Sequence, residues 1–154
     1  MLNAKKGKIK KKDGLKLKIG IVVSQFNEDI TAKMLQGALE MLKENKIKAE
    51  NIKTVWVPGS FEIPFACQRL AQTKKFDALV AIGCVIKGET DHYYYICNEA
   101  SRGIMNVMLK FDIPIGFGVI TTNNLKQAQA RSRGKEDKGK EAAEAALAMI
   151  NTRE

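Results

Sequence analysis

Apolar positions along this chain recur in two rhythms. Residues 15–23 (LKLKIGIVV) alternate at first and then run continuously apolar, as a strand does on entering a parallel sheet covered on both faces. Residues 52–57 (IKTVWV), 78–86 (ALVAIGCVI) and 115–120 (IGFGVI) repeat that signature. Between them the period lengthens. Met34, Leu35, Ala38, Leu39 and Leu42 mark a core-facing helix over 30–46, with Asp29 or Thr31 as its N-cap. A second helix opens at 60–64 (SFEIP), where proline is tolerated because its missing N–H would lack a partner anyway. It runs to residue 75 with Phe65, Ala66 and Leu70 turned inward. Ile96, Ala100, Ile104, Val107 and Met108 predict a third helix from residue 95, residues 125–130 a short fourth capped by the polar run 121–124, and residues 142–150 an alanine-rich fifth. Strands alternating with helices imply one three-layer αβα domain, its four-stranded parallel sheet covered by helices on both faces through right-handed crossovers.

Charge adds an arm to this picture. The 154 residues carry a net charge of +9, yet residues 1–18 alone hold eight lysines against one acid, Asp13. The basicity therefore concentrates in a flexible, lysine-rich arm over 1–14 and the two lysines that follow it, and within the α/β domain of 15–154 the residues after 18 are nearly balanced. Such an arm reads as solvated, with polyanion contact the less common use, so nucleic acid is not the expected partner. No apolar run reaches the ~18 residues of a membrane helix, and the N-terminus lacks the apolar stretch of a signal peptide, which makes the cytoplasm the expected location. Cys67, Cys84 and Cys97 form no CxxC pair, and His92 is the only histidine, so no metal site is expected and the cysteines read as small buried hydrophobes.

Chemistry concentrates where strands hand over to helices, the place an open α/β sheet puts its ligand. His92 follows the third strand and is either a proton shuttle or a histidine packing a helix start. Phe26, at the end of the first strand, is either a lid over the core or a stacking platform for a flat ligand. Ser60 and Glu62 lie at a helix N-terminus, where hydroxyls and anions bind and where a glutamate also simply complements the helix dipole. Residues 131–140 (RSRGKEDKGK) are a solvated connection or a phosphate grip, since arginine offers forked donors.

Four stretches taken together resemble the lumazine synthases: 19–27 (IGIVVSQFN), 57–64 (VPGSFEIP), 83–103 (GCVIKGETDHYYYICNEASRG) and 117–122 (FGVITT), with 131–143 (RSRGKEDKGKEAA) as a weaker fifth. The resemblance implies a flavodoxin-like fold and a cofactor-free, metal-free transferase of riboflavin biosynthesis. That enzyme condenses 5-amino-6-ribitylaminouracil with 3,4-dihydroxy-2-butanone 4-phosphate. It implies that Phe26 stacks on the pyrimidine and that Ser60, Phe61 and Glu62 hold the ribityl chain. The backbone of Cys84, Val85 and Ile86 would read the pyrimidine edge. Glu89 and Thr90 would take the phosphorylated substrate, Arg131 would pair its phosphate, and Phe117 and Lys138 would complete the pocket. His92 becomes the proton-transfer residue. The resemblance further implies a homo-oligomer with pockets between subunits, so that Phe117 and Arg131 come from a neighbour in a pentamer, paired pentamers or a sixty-subunit shell.

Three departures from that family accompany the match. Tyr94 stands where an acidic residue is usual, Lys87 where arginine is common, and the 131–138 loop is one residue short with Arg133 in place of a glycine. Two other readings compete: an archaeal-type riboflavin synthase of the same fold, and a non-catalytic scaffold whose lysine arm recruits a polyanion.

Overall fold

A computed structural model describes residues 14–153 together with Gly7. The lysine-rich arm lies almost wholly outside the described residues. Four parallel strands, β1 (Ile19–Ser24), β2 (Ile52–Val57), β3 (Ala78–Ile86) and β4 (Ile115–Thr122), form one sheet in the order β2-β1-β3-β4. Five α-helices connect or follow them: α1 (Glu28–Glu44), α2 (Ile63–Gln72), α3 (His92–Phe111), α4 (Leu125–Ala130) and α5 (Lys138–Ile150). No helix among the described residues is long and apolar enough to cross a membrane.

Alternation along the strands splits the core in two. Ile19, Ile21 and Val23 of β1 and Ala78, Val80, Ile82 and Cys84 of β3 face α1 and α5, packing with Met34, Ala38, Leu42, Ala142, Ala143 and Ala146. Val22, Leu79, Ala81, Ile115 and Val119 face the other way, against Ile63, Cys67 and Leu70 of α2 and Ile104 and Val107 of α3. The continuously apolar strands expected of a doubly covered sheet are thus explained by burial on both sides. The predicted glycines of β4 take part: a Cβ at Gly116 would meet the carbonyl of Ala142, so α5 lies directly on the strand.

Several expectations are corrected at element ends. β1 begins at Ile19, and Leu15 is exposed. Neither Asp29 nor Thr31 caps α1; Asn27, in the left-handed conformation at φ 58°, occupies the N-cap, and the Thr31 hydroxyl instead donates to the Ser24 carbonyl at 2.7 Å. Helix α2 stops at Gln72, where the Thr73 hydroxyl takes the Leu70 carbonyl and Lys74 turns left-handed at φ 55°. Phe65 does not face the core and is 69% exposed, while Ala66, Cys67 and Leu70 are buried. Cys67 and Cys84 are buried as expected, whereas Cys97 is only partly so. Helices α3 and α5 begin earlier than periodicity suggested. Their first turns are polar, which dilutes the apolar rhythm, and Asp137 caps α5 by accepting from the amides of Gly139 and Lys140.

Candidate functional site

The strand order reverses direction at β1: β2 lies on one side of it and β3 on the other. In open α/β sheets ligands bind at this switch point, outside the carboxyl ends of the strands. A cleft of about 570 Å³ opens there, reached by residues from the end of β1, the turn after β2, the end of β3 and the start of α3.

Its floor begins with the pairing of β1. After Ser24, the amides of Gln25 and Phe26 donate to the carbonyls of Val57 and Pro58 at 2.8 and 3.0 Å, prolonging the contact with β2. The chain then reverses at left-handed Asn27, a conformation asparagine tolerates because its short side chain bonds locally. Asn27 Nδ2 donates to the Cys84 carbonyl at 3.0 Å, tying the end of β1 to the end of β3. Phe26 is left 72% exposed, so its ring presents a face to the cleft and does not cover the core.

The third strand supplies a polar edge. Pairing of β1 with β3 ends at Val23↔Ile82, whereas pairing of β3 with β4 continues to Ile86↔Thr122. Residues 84–86 therefore keep one backbone edge without a strand partner, and all three line the cleft. An exposed row of N–H and C=O groups is what a planar heterocycle with donors and acceptors on its rim can pair with. The Cys84 thiol takes no ionic part, since burial pushes it up to about 12.

On the β2 side, Gly59 is extended and residues 60–62 form one tight turn before α2. Phe61 and Glu62 are exposed at the cleft, while the Ser60 hydroxyl is buried without a hydrogen-bond partner among the described residues. Ser24 Oγ, equally unpaired, lies nearby: both hydroxyls crowd the space that a Cβ at Gly83 would need. Glycine at 83 leaves the Ser60 hydroxyl its place, since a Cβ there would lie 2.5 Å from it.

Residues 87–91 form the lip, and α3 starts at His92, whose exposed imidazole lines the cleft with Thr90, Tyr93, Tyr95 and Ile96. Tyr93 is partly buried, which pushes its phenol above the usual range against the lowering effect of its bond to Thr121.

Nine of the thirteen predicted residues thus meet in one cleft: Phe26, Ser60, Phe61, Glu62, Cys84, Val85, Ile86, Thr90 and His92. Glu89, Phe117, Arg131 and Lys138 do not line it. Phe117 stands half-exposed on β4, on the side of Ile115 and Val119. Arg131 ends α4 and donates from Nη1 to the Gln127 carbonyl at 3.1 Å, and Lys138 pairs with Glu141 at 2.9 Å in the first turn of α5. Sequence reasoning missed Asn27, Gly59, Gly88, Tyr93, Tyr95 and Ile96. Tyr95 and Ile96 follow from the start of α3 at His92, which puts positions three and four later on the same face. No trio of His, Cys, Asp or Glu suited to a metal ion occurs among the described residues. In comparison with known families, residues 16–154 match the model described as 6,7-dimethyl-8-ribityllumazine synthase.

Proposed function

Since the chain belongs to the 6,7-dimethyl-8-ribityllumazine synthase family, we propose that it condenses 5-amino-6-ribitylaminouracil with 3,4-dihydroxy-2-butanone 4-phosphate in the cytoplasm, releasing 6,7-dimethyl-8-ribityllumazine, phosphate and water. The observation that carries this reading is the backbone edge of residues 84–86, which has no strand partner and meets Asn27 at the Cys84 carbonyl, beside the open ring of Phe26. A ribitylaminopyrimidine needs a flat apolar face for its ring and a row of donors and acceptors for its rim. Ser60 and Glu62, in the same cleft, offer a hydroxyl and a carboxylate to a polyol chain.

The reaction then asks mainly for alignment. The pyrimidine's 5-amino group adds to the ketone and loses water to give an imine. Removal of a proton beside the imine expels phosphate, and the ribitylamino nitrogen closes the ring with loss of water. Each step moves a proton, and His92 stands at the cleft to carry it, an aid generally worth ~10²–10⁴-fold. Holding two reactants in register is generally worth more, up to ~7–11 kcal/mol. Thr90 lines the cleft beside His92 and would meet the phosphorylated partner, with Glu89 next to it in the lip.

The proposal extends to assembly. Phe117, Arg131 and Lys138 lie away from their own subunit's cleft, which supports a pocket completed by a neighbour's Phe117 and Arg131 in a pentamer, a decamer or a sixty-subunit shell. Arginine suits the phosphate because its fork holds two oxygens at once. The test is to mix the purified chain with both precursors and follow the product's absorbance and fluorescence. Lumazine formation is expected; riboflavin formed from lumazine alone, with no product from the precursors, would overturn the reading.

A further inference from the structure

Lys87 and Tyr94 are the two departures within the most family-like stretch of the sequence, and the proposed reaction assigns neither a task. In the fold they meet. Lys87 Nζ donates to the Tyr94 hydroxyl at 2.8 Å, across seven residues. The ammonium is 5.1 Å from the ring centroid, a separation the bond to the hydroxyl already accounts for.

Their placement is specific. Lys87 is the first residue beyond β3, and its amide is fixed to the Thr122 carbonyl at 2.8 Å. Tyr94 lies in the first turn of α3, with its amide on the Asp91 carbonyl at 3.0 Å. Between these points run Gly88, Glu89, Thr90 and Asp91, all exposed. Glu89, Thr90 and His92 make no side-chain hydrogen bond among the described residues, and nothing approaches the space a Cβ would take at Gly88. The segment between sheet and helix is thus closed at its neck by one side-chain bond. Tyr94 is braced in turn: the Tyr93 ring meets it edge-on at 5.3 Å. The bond to Tyr94 also raises the Lys87 ammonium above the usual lysine range, the first of several effects in that direction.

We infer that Lys87 and Tyr94 are positioning residues, a clasp that closes the 88–91 segment and holds Thr90 and His92 in the arrangement the phosphorylated substrate meets. Neither side chain lines the cleft, so both act through the segment they close. Opening the clasp lets the segment populate arrangements that do not bind, and apparent affinity falls by the fraction that remains competent. The identity of the substrate rests on the function proposed above; the closing of the segment does not.

The experiment uses the full-length assembled chain with Tyr94→Phe, which removes only the hydroxyl, Lys87→Met, the double variant and Lys87→Arg. Each single variant should raise KM for the phosphorylated ketone about three- to fivefold, the size expected of one exposed hydrogen bond from an ammonium, and leave KM for the pyrimidine within about twofold. The double variant should be no worse than either single one, since the two residues share one interaction. Lys87→Arg, which keeps a donor, should return KM to the wild-type value. Effects that multiply in the double variant, or equal rises in both KM values, would overturn the clasp. Millisecond amide exchange over residues 88–91 decides independently of turnover. Faster exchange in Tyr94→Phe than in the wild type is expected, and identical exchange would overturn the clasp even if the chain made no lumazine at all.

Discussion

On the α1/α5 side of the sheet, glycines let backbones touch. A Cβ at Gly139 would meet the Met34 carbonyl of α1, one at Gly116 the Ala142 carbonyl of α5, and one at Gly37 the Asp137 carboxylate. On the α2/α3 side, Phe65 and Leu109 stand 69% and 73% exposed, with Met105, Tyr95 and Phe117 about half or more open beside them. The first layer is packed closely by the chain's own helices; the second leaves more large apolar side chains open. The assembly proposed above would use the open face, so substitutions on the two faces should separate folding from association.

The largest separation is expected from Leu109→Glu. In the assembly proposed above, with this face as its contact, an unpaired carboxylate buried there would cost several kcal/mol, so sedimentation should report smaller particles with unchanged helical circular dichroism. A variant of full mass would break the comparison. On the closely packed face, Gly139→Ala should lower unfolding stability by about 3 kcal/mol, the upper end of ordinary overpacking, because the new methyl group meets backbone and not a movable side chain. A shift in denaturant midpoint equivalent to less than about 0.5 kcal/mol would show that α1 and α5 can part without cost.

His92→Ala sharpens the comparison from the chemical side. It alters an exposed side chain at the head of the open layer, so mass and stability should hold while turnover falls by roughly 10²-fold or less. Complete inactivity in a correctly assembled variant would mean that proton transfer, and not alignment, dominates.

The smallest effect is expected from Asp137→Asn. Burial raises the Asp137 carboxyl above the usual range, against the lowering bonds from the amides of Lys140 and Gly139. The folded state thus holds this proton more tightly than the unfolded chain. Its contribution is fully present below the unfolded value near pH ~4 and is lost as pH rises through the raised folded value. Asparagine caps helices about as well as aspartate, so the variant should remove that decline while changing stability at neutral pH by less than about 1 kcal/mol. Parallel stability–pH curves for the two proteins would contradict this.

Strand existence, strand order along the chain and the layering were legible in the sequence because burial on both sheet faces writes continuous apolar runs. Ala78–Ile86 and Ile52–Val57 were bounded to the residue, each flanked by turn chemistry. Helix starts were not. His92-Tyr93-Tyr94 and Lys138-Gly139-Lys140 place polar or small residues in a first turn, where capping rather than periodicity decides. Phe65 went wrong for another reason: its spacing marks an apolar face, but spacing cannot tell a face that meets the core from one left open. The cleft was legible where residues cluster in sequence, as in 60–62 and 84–86. Asn27 and the Lys87–Tyr94 bond were not, since each depends on which residues the sheet order and the helix start bring together.

Asn27 carries a last consequence, for how this sequence can vary. Its backbone conformation admits glycine, asparagine and aspartate with little penalty. Its bond to Cys84 needs a donor, which glycine lacks and an ionised aspartate cannot supply. Two mild demands, each satisfied by several residues, together favour asparagine, whose short side chain meets both. A saturation library at position 27, selected for the product proposed above, should return asparagine more often than any other residue, although nothing about that codon's neighbourhood in the sequence announces the preference.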